Sequence, residues 1–257
     1  MCLLAFAWKT HPDFPLVLAG NRDERHARAS AAAGLWFDAP QVLAGRDLEA
    51  GGTWLGTTTG GRLAVVTNYR EGLNPVKAPR SRGALTANFL ASETSPQAYV
   101  ESLRPHAGEY GAFSLICGTG DSLWYFSNRG GDPAPIAPGI HALSNHLLDT
   151  PWPKVQTAKA RLKLLLDGGA VTTDALFRLL ADRAPAPLDA PLPDTGIGAE
   201  LERRVSATFV LDPVYGTRCS TLLLCDGRSG MRFAERRFDA TGETIETRVF
   251  QMTAGIP

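Results

Sequence analysis

The chain is predicted to be a layered α+β protein with largely antiparallel sheets. Short apolar runs of strand length, joined by tight turns, occur in blocks along the sequence, and pairs of helical stretches separate these blocks. Strands joined directly by hairpins pair antiparallel, whereas single strands alternating with single helices would indicate a parallel sheet. The length of 257 residues is sufficient for a core of its own, so we expect a single domain over residues 1–257.

Strands are predicted in three blocks. Residues 2–8 and 15–19 are continuous apolar runs joined by a polar turn, which is typical of a buried hairpin. The polar run Asn21-Arg22-Asp23-Glu24 closes this strand pair, and the alanine-rich stretch that follows it, as far as Gly34, is predicted to be loop-like. The other predicted strands, each bounded by turn residues, are 52–58, 62–69, 112–118, 122–128, 139–144, 205–211, 218–225 and 230–252, the last broken by a turn at 240–242.

Helices are predicted between these blocks. Residues 82–91 and 96–105 carry apolar side chains at helical spacing, and Ser95 before a proline is a typical helix start. The most periodic stretch is 153–167, with its apolar side chains on one face, and another helix is predicted from 173 to 182. Four prolines in residues 184–198 predict an extended surface loop, which we expect to act as a flap that sets substrate choice.

The composition excludes several classes of partner. Lys+Arg and Asp+Glu both total 26, so the net charge of zero argues against a nucleic-acid carrier and against a polybasic protein of the membrane surface. No run approaches the roughly 18 apolar residues of a membrane span. The four cysteines contain no Cys-x-x-Cys pair, so neither a disulfide framework nor a metal site is predicted. We expect a cytoplasmic protein whose partner is a small molecule.

Cys2 is the first candidate for chemistry. If Met1 is removed, which a small second residue permits, the Cys2 thiol lies beside a free α-amine. That amine has a reference pKa of roughly 7.7–8.0, so it can take the thiol proton and activate the nucleophile without a histidine. The alternative is that Cys2 is simply a small residue after the initiator.

Compact polar clusters close several of the predicted strands. Asparagine can donate to a developing oxyanion, arginine can bind a carboxylate or carbonyl, and aspartate can orient an α-amine. The alternative for each cluster alone is turn formation and a local ion pair. The clusters are Asn21-Arg22-Asp23-Glu24, Thr67-Asn68-Tyr69-Arg70, Ser144-Asn145 and the segment around Arg218.

Several short motifs, in one order from residue 2 to about 225, carry a family resemblance. They are Met1-Cys2, Asn21-Arg22-Asp23-Glu24, Gly51-Gly52-Thr53-Trp54-Leu55-Gly56, Thr67-Asn68-Tyr69-Arg70, Ser81-Arg82-Gly83, Leu143-Ser144-Asn145 and Pro151-Trp152-Pro153-Lys154-Val155. With these motifs the chain resembles the NRDE family, which is the family of the transport and Golgi organisation protein 2. That family resembles, more distantly, the N-terminal-nucleophile hydrolases, whose cysteine branch includes the choloylglycine and penicillin acylases.

The resemblance implies a four-layer αββα sandwich, with two sheets between helix layers, and a set of site residues. Cys2 matches the nucleophile, and Arg22-Asp23 match the arginine and aspartate that the branch keeps near it. Asn68 and Asn145 match its two catalytic asparagines, for which oxyanion stabilisation is expected, and Arg218 matches its late arginine. The implied reaction is hydrolysis of a linear amide or thioester, with Asp23 orienting the amine and Arg22 and Arg218 binding substrate. The Tyr69-Arg70 and Trp54 motifs belong to the NRDE family and not to the acylases.

The resemblance also implies a non-catalytic alternative, haem trafficking, in which the same fold binds haem non-covalently. Cys2, His141 and His146 are the candidate ligands, and the hydrolase interpretation needs no cofactor. The chain holds 21 arginines and five lysines, which favours a locally basic pocket around Arg22, Arg70 and Arg218 for a small anionic or carbonyl ligand. Asn21, Tyr69, Arg70, His141 and His146 are predicted to contact the ligand.

Overall fold

The computed structural model describes residues 2–73, 78–228 and 230–253. Thirteen strands lie in the described ranges: β1 (Cys2–Trp8), β2 (Leu16–Arg25), β3 (Ser30–Leu35), β4 (Val42–Asp47), β5 (Leu55–Thr58), β6 (Leu63–Asn68), β7 (Phe113–Gly118), β8 (Leu123–Ser127), β9 (Ala134–Pro135), β10 (Gly139–Leu143), β11 (Tyr215–Cys225), β12 (Gly230–Phe238) and β13 (Thr244–Thr253). The helices are α1 (Arg82–Ala91), α2 (Pro96–Leu103), α3 (Pro153–Asp167), α4 (Thr173–Leu180) and α5 (Ala199–Arg204), with a 3₁₀ turn at Arg104–Glu109.

Two antiparallel sheets face each other between layers of helices. The first sheet has the order β10-β1-β2-β11-β12-β13, and the second has the order β3-β4-β5-β6-β7-β8-β9. Helices α3 and α4 cover the outer face of the first sheet, while α1 and α2 cover the outer face of the second. The predicted α+β fold with four layers is confirmed.

Three apolar cores hold these layers together. Small residues of β1 and β2, such as Ala5 and Ala19, pack under Leu162 of α3. Larger side chains from the opposite faces of the same strands, such as Phe6 and Leu18, fill the space between the sheets. This division follows from the alternation of side chains along a strand, which sends successive residues to opposite faces. Strands β1 and β2 are therefore apolar on both faces over most of their length.

Strand β2 is longer than predicted and includes the polar run at 21–24. Its backbone bonds to β1 on one side and to β11 on the other, so pairing on both edges keeps the polar residues in extended conformation. The loop predicted after this run, as far as Gly34, is wrong in its last part, where β3 begins at Ser30. Strand β11 has a bulge between Thr217 and Cys219, opposite Asp23 and Arg22, where Arg218 is the extra residue.

Other elements also differ from prediction. The segment 205–211 is not a strand. Its apolar side chains other than Leu211 are buried, but its backbone is bonded irregularly, with Asp182 O accepting from Phe209 N–H and Asn21 donating to Thr208 O. Strands β3 and β4 and helix α5 were not predicted, since tertiary pairing outweighs the weak local preference of these segments. Strand β1 and helices α1 and α3 lie at their predicted limits.

Candidate functional site

A cleft of about 480 Å³ lies between the two sheets, beside the first residue of β1. The first sheet and the β3–β4 hairpin, the end of β6 and the start of α1 form its walls. Its charge is unusual, because seven arginines but four carboxylates line it. The arginines are Arg22, Arg28, Arg46, Arg80, Arg82, Arg218 and Arg237, and the carboxylates are Asp23, Glu24, Asp47 and Glu235.

Cys2 lies at the inner end of this cleft. It is 8% exposed and pairs directly across from Arg22 on β2. Burial raises the pKa of the Cys2 thiol, while the charge of Arg22 and a hydrogen bond from the Asp23 backbone N–H act to lower it. The strand alternation that directs Leu4 and Phe6 between the sheets also directs Cys2 there.

Asn145 holds the backbone nitrogen of Cys2. The Cys2 N–H donates to Asn145 Oδ1 at 3.2 Å, and Asn145 Nδ2 donates to Asn68 O at 3.0 Å. The residue has a left-handed backbone with φ of 53°, and its carbonyl accepts from the Arg70 N–H at 2.9 Å. Asn145 is fully buried and is not among the residues that line the cleft, and its side chain contacts the Cys2 nitrogen.

Asn68 has a side-chain amide that is not hydrogen-bonded to any other described residue. It ends β6, is exposed, and lines the cleft. Its backbone is fixed by pairing with Phe113 and by the bond from Asn145. Among the described residues, none is hydrogen-bonded to the Asn68 side chain, so its N–H groups are available to an oxygen bound beside Cys2.

Alternate residues of β2 serve opposite faces of the first sheet. Arg22 and Glu24 face the cleft, and their charged groups are 3.6 Å apart. Asn21 points to the helix layer, where its Nδ2 donates to Leu180 O and Thr208 O at 2.9 and 2.8 Å. The predicted contact of Asn21 with a ligand is therefore wrong, because its amide is fully buried and holds backbone carbonyls.

Asp23 shares the face of Asn21 but also borders the cleft. It is 2% exposed, and Thr217 donates to its Oδ1 at 2.7 Å. Burial raises the pKa of Asp23, and the charges of Lys154 and Arg22 act in the opposite direction. The Asp23 carboxylate is thus a buried group whose charge depends on neighbouring cations.

Arg218 lines the cleft from the bulge of β11. Its Nη1 donates to the carbonyls of Arg25, His26 and Arg28 at 3.0, 2.8 and 3.3 Å, which fixes the turn after β2. Burial lowers the pKa of Arg218, and the charge of Arg22 lowers it further. The structure brings Arg218 to the predicted site, although part of its guanidinium is used to hold the backbone.

Arg82 is a cleft residue that the sequence analysis did not select. It is the first residue of α1, and its Nη1 donates to Ala112 O at 3.2 Å. The start of this helix reaches the cleft because Gly52 packs against Gly83, where a Cβ on Gly52 would lie 2.4 Å from the Gly83 backbone. The sequence signal for Arg82 was its position in the Ser81-Arg82-Gly83 motif. Within the described ranges, neither Arg82 nor Arg218 forms a salt bridge.

The remaining predicted contacts lie outside the cleft. Tyr69 bonds His146 Nε2 at 2.7 Å, and His146 Nδ1 bonds Thr150 Oγ1 at 2.8 Å. His141 Nδ1 bonds Asp149 Oδ2 at 2.6 Å, and its Nε2 bonds a backbone carbonyl. Both histidines therefore hold neighbouring segments in place, and neither lines the cleft.

Arg70 likewise lies outside the cleft, in a buried ion pair. Its Nη2 contacts Glu202 Oε2 at 2.6 Å, and its Nε donates to Thr195 at 2.7 Å. The guanidinium lies over the ring of Trp152 at 5.0 Å. Burial lowers the pKa of Arg70, and Glu202 acts to raise it. The basic pocket therefore contains Arg82 in place of the predicted Arg70.

The proline-rich loop 184–198 does not contribute to the cleft. Thr195 in this loop contacts both Glu202 and Arg70, so the loop is anchored on the helix side of the first sheet. None of the described cleft-lining residues belongs to 184–198, and the predicted flap over the site is wrong. In the described part of the chain, no helix is long and apolar enough to cross a membrane, and no His, Cys, Asp and Glu side chains cluster as a metal site would require.

Comparisons with known proteins identify the family of the chain. A model of the family described as "Transport and Golgi organisation 2" matches residues 1–240. The chain is 37% identical to the Transport and Golgi organization protein 2 homolog of Bos taurus over 92% of each chain. It is 34% identical to the homolog of Homo sapiens, over 98% of this chain and 99% of the relative.

Solved structures with a similar fold have very different sequences. A mutant of the conjugated bile acid hydrolase from Clostridium perfringens has a TM-score of 0.54 at 8% identity, covering 97% of this chain and 92% of that one. Penicillin V acylase from Agrobacterium tumefaciens has a TM-score of 0.50 at 13% identity, covering 98% and 86%. A Caenorhabditis elegans ortholog of N-acylethanolamine-hydrolyzing acid amidase also has a TM-score of 0.50, at 10% identity over 87% and 92%. These likenesses establish an N-terminal-nucleophile hydrolase fold.

Proposed function

The chain belongs to the Transport and Golgi organisation 2 family, and on that premise we propose that it is an N-terminal cysteine hydrolase that cleaves a linear amide or thioester. One observation carries the proposal: Cys2 lines the cleft while its nitrogen is held by Asn145 Oδ1 at 3.2 Å. The names of the structural neighbours, an amidase, an acylase and a hydrolase, support the same class of reaction.

In the proposed reaction, removal of Met1 turns the nitrogen of Cys2 into a free α-amine. The amine takes the thiol proton, and the thiolate attacks the carbonyl carbon of the substrate. Asn145 Oδ1 accepts a hydrogen bond from the amine, which directs the lone pair of the amine nitrogen toward the thiol. The charge of the Asp23 carboxylate also acts on the Cys2 thiol. Collapse of the tetrahedral intermediate passes the proton to the leaving amine or thiol, and water then hydrolyses the acyl-Cys2 thioester.

Asn68 is the proposed oxyanion donor. Its side chain is exposed in the cleft, and its backbone is held by the same asparagine that holds the Cys2 nitrogen. A donor fixed in this way stabilises the developing charge without reorganisation, which is worth roughly 10²–10³ in kcat for one residue. Arg22, directly across from Cys2, adds positive charge at the same point.

The substrate is proposed to carry an anionic group. Arg82 and Arg218 both line the cleft, and their guanidinium groups donate to backbone carbonyls in place of carboxylates. A carboxylate or phosphate of the substrate would complete this charge balance, since guanidinium binds such groups with paired hydrogen bonds.

The first test combines intact mass with turnover. Protein purified from its own host should lack Met1, and S-phenyl thiosuccinate should form an acyl adduct on Cys2. The Cys2→Ala variant should lose more than about 10³ of the thioesterase activity, because the nucleophile is absent. Cys225→Ala is the matched control, since that thiol lies at the far end of β11. Retention of Met1, or a Cys2→Ala variant with normal turnover, would contradict the proposal.

A matched pair of substrates tests the anionic group. S-phenyl thiosuccinate and S-phenyl thiobutyrate have acyl chains of equal length, and they differ in the terminal carboxylate. We expect a higher kcat/KM for the succinyl compound. Equal values would remove the anionic group from the proposal and leave the hydrolase reaction in place.

Haem binding remains the alternative prediction, but the two histidines do not fit it. Both ring nitrogens of His141 and of His146 are hydrogen-bonded within the protein, and neither histidine lines the cleft. The proposed hydrolase reaction needs no haem. Titration with haemin, followed at the Soret band, distinguishes the two: a saturable change lost in Cys2→Ala would favour the carrier.

A further inference from the structure

A row of side chains on the cleft face crosses four strands of the first sheet, from β1 to β12. Cys2 pairs directly with Arg22. Arg22 pairs on its other edge with Cys219, which in turn pairs with Arg237. Residues directly opposite each other in antiparallel strands share a face, and all four members of the row line the cleft. Since neighbouring strands lie about 4.8 Å apart, the row extends roughly 14 Å sideways from the nucleophile.

A contact between the two sheets closes the far end of this row. Glu235 follows Arg237 on the same face of β12, and it accepts a hydrogen bond from the Ala33 N–H of β3 at 2.7 Å. Glu235 also packs against β4, because a Cβ on Gly45 would lie 3.3 Å from Glu235 Oε2. The Glu235 side chain lines the cleft and is 4% exposed. The row is therefore bounded at β12 by a side chain that joins the sheets.

The two sides of the cleft differ in exposure. Asn68 and Arg80, on the side of β6 and α1, are exposed cleft residues. Cys219 and Glu235, on the side of β11 and β12, are buried. In hydrolysis through an acyl intermediate, the leaving group departs and water enters while the acyl group stays attached to the nucleophile. The exposed side therefore suits the leaving group, and the buried row suits the acyl group.

We propose that the acyl group of the substrate lies along this row, above Cys219, and that Glu235 limits its length. The inference rests on the proposed function and names its substrate class. An extended chain advances about 3.5 Å for every three bonds, so the roughly 10 Å from Cys2 to Cys219 corresponds to about eight bonds. Arg22 and Arg237 on either side of Cys219 favour a chain that carries a carboxylate. The class is thus the half-thioesters or half-amides of linear dicarboxylic acids of about eight carbons.

The first test compares the S-phenyl half-thioesters of succinic, suberic and dodecanedioic acid, whose acyl chains have four, eight and twelve carbons. The suberyl compound should have the highest kcat/KM. Cys219→Phe should lower the ratio of suberyl to succinyl kcat/KM by about tenfold or more, because the ring occupies the row. Cys219→Leu replaces it if the phenylalanine variant does not fold as judged by circular dichroism. Cys219→Ser keeps the size of the side chain and should keep the ratio.

The second test shifts the preference in the opposite direction. Glu235→Ala removes the side chain that ends the row, so the ratio of dodecanedioyl to suberyl kcat/KM should rise by about fivefold or more. Glu235→Val serves if the alanine variant does not fold. Glu235→Gln is the matched control, because its amide oxygen can still accept from the Ala33 N–H.

Binding of the free dicarboxylic acids to Cys2→Ala, measured by calorimetry, gives the same comparison without turnover. Suberate should bind more tightly than succinate, and Cys219→Phe in this background should remove the difference. Unchanged ratios in the folded Cys219 and Glu235 variants, or affinities that do not depend on chain length, would overturn the inference. Failure of the hydrolase proposal is seen separately, as retained Met1 or absent turnover.

Discussion

The two sides of the first sheet differ sharply around Cys2, because one borders the cleft and the other is covered by helices. On the cleft face, charged groups such as Arg22, Arg82 and Arg218 border an open space and make few contacts with carboxylates. On the helix face, Asn21 and the Arg70–Glu202 pair are buried, and each is bonded to several protein groups. One face presents charged groups to the cleft, and the polar groups of the other face hold the backbone of the neighbouring segments.

This difference separates residues that sequence proximity groups together. The run at 21–24 forms one polar cluster in the sequence, but in β2 its side chains alternate between the cleft face and the helix face of the sheet. The same holds for the run at 67–70, in which Asn68 enters the cleft and Arg70 supports the loop of Asn145. Substitutions on the helix face should therefore affect stability first, and those on the cleft face should affect catalysis.

The largest effect on stability is expected on the helix face. Glu202→Gln keeps the shape of the side chain but leaves Arg70 buried without its carboxylate, which should lower the free energy of unfolding by about 3 kcal/mol. Urea denaturation measures it. The exposed Lys163–Asp167 pair is the matched control, and Asp167→Asn should cost less than about 0.5 kcal/mol. Equal effects of the two substitutions would remove the distinction between the faces.

Asn68→Ala tests the cleft face. It should reduce kcat on S-phenyl thiosuccinate by roughly 10²-fold, because the oxyanion loses a fixed donor. KM and the urea midpoint should stay close to the wild-type values, since the side chain is exposed and supports no other described residue. A drop in stability with unchanged kcat would instead assign Asn68 to the supporting residues.

A smaller effect is expected for Arg82→Gln. The preference for the succinyl over the butyryl thioester should fall by about tenfold, which corresponds to roughly 1.4 kcal/mol, while turnover of the butyryl compound is unchanged. Arg178→Gln is the control, because Arg178 is exposed on α4 and away from the cleft. Loss of both activities in Arg82→Gln would indicate a role in the chemical step instead of substrate binding.

The smallest effect is predicted for Asp149, which lies on neither face of the site. Burial alone would raise the pKa of Asp149, but hydrogen bonds from His141, Lys159 and the Ala142 N–H lower it to about 2. A carboxyl whose pKa falls on folding stabilises the protein above its unfolded pKa of roughly 3.9, and this contribution disappears as the pH falls through the folded pKa. Asp149→Asn should therefore cost about 1 kcal/mol at pH 7, and this cost should fall toward zero as the pH drops through about 2. Urea melts between these values measure it, and a difference independent of pH would contradict the assignment.

Much of the fold could be predicted from the sequence, because the strongest sequence signals of secondary structure are local. The apolar run of β1 and the helical periodicity of α3 are visible without any tertiary information. Strands β3 and β4 gave no such signal, since β3 is rich in alanine and β4 has only a short apolar run, and both become strands by pairing with neighbouring strands. The segment 205–211 shows the opposite error, because apolar residues can be buried without joining a sheet.

The site was predicted in part for a similar reason. Cys2, Arg22, Asp23, Asn68 and Arg218 reach one cleft, as the family motifs imply. The face to which Asn21 or Arg70 points depends on strand register and on partners more than 100 residues away in sequence, which no motif encodes. Arg82 was missed because its approach depends on the close contact of two glycine backbones.

The bulge in β11 has a consequence for the length of that strand. Thr217 contacts Asp23 on the helix face while Cys219 lines the cleft, and residues two apart in a regular strand would share a face. The extra residue, Arg218, shifts the alternation by one position and lets a single strand serve both sides. Deleting Arg218 would therefore rotate Thr217 away from Asp23 as well as remove a cation. A chimaera that exchanges the C-terminal strands between relatives must keep the residue count across this point.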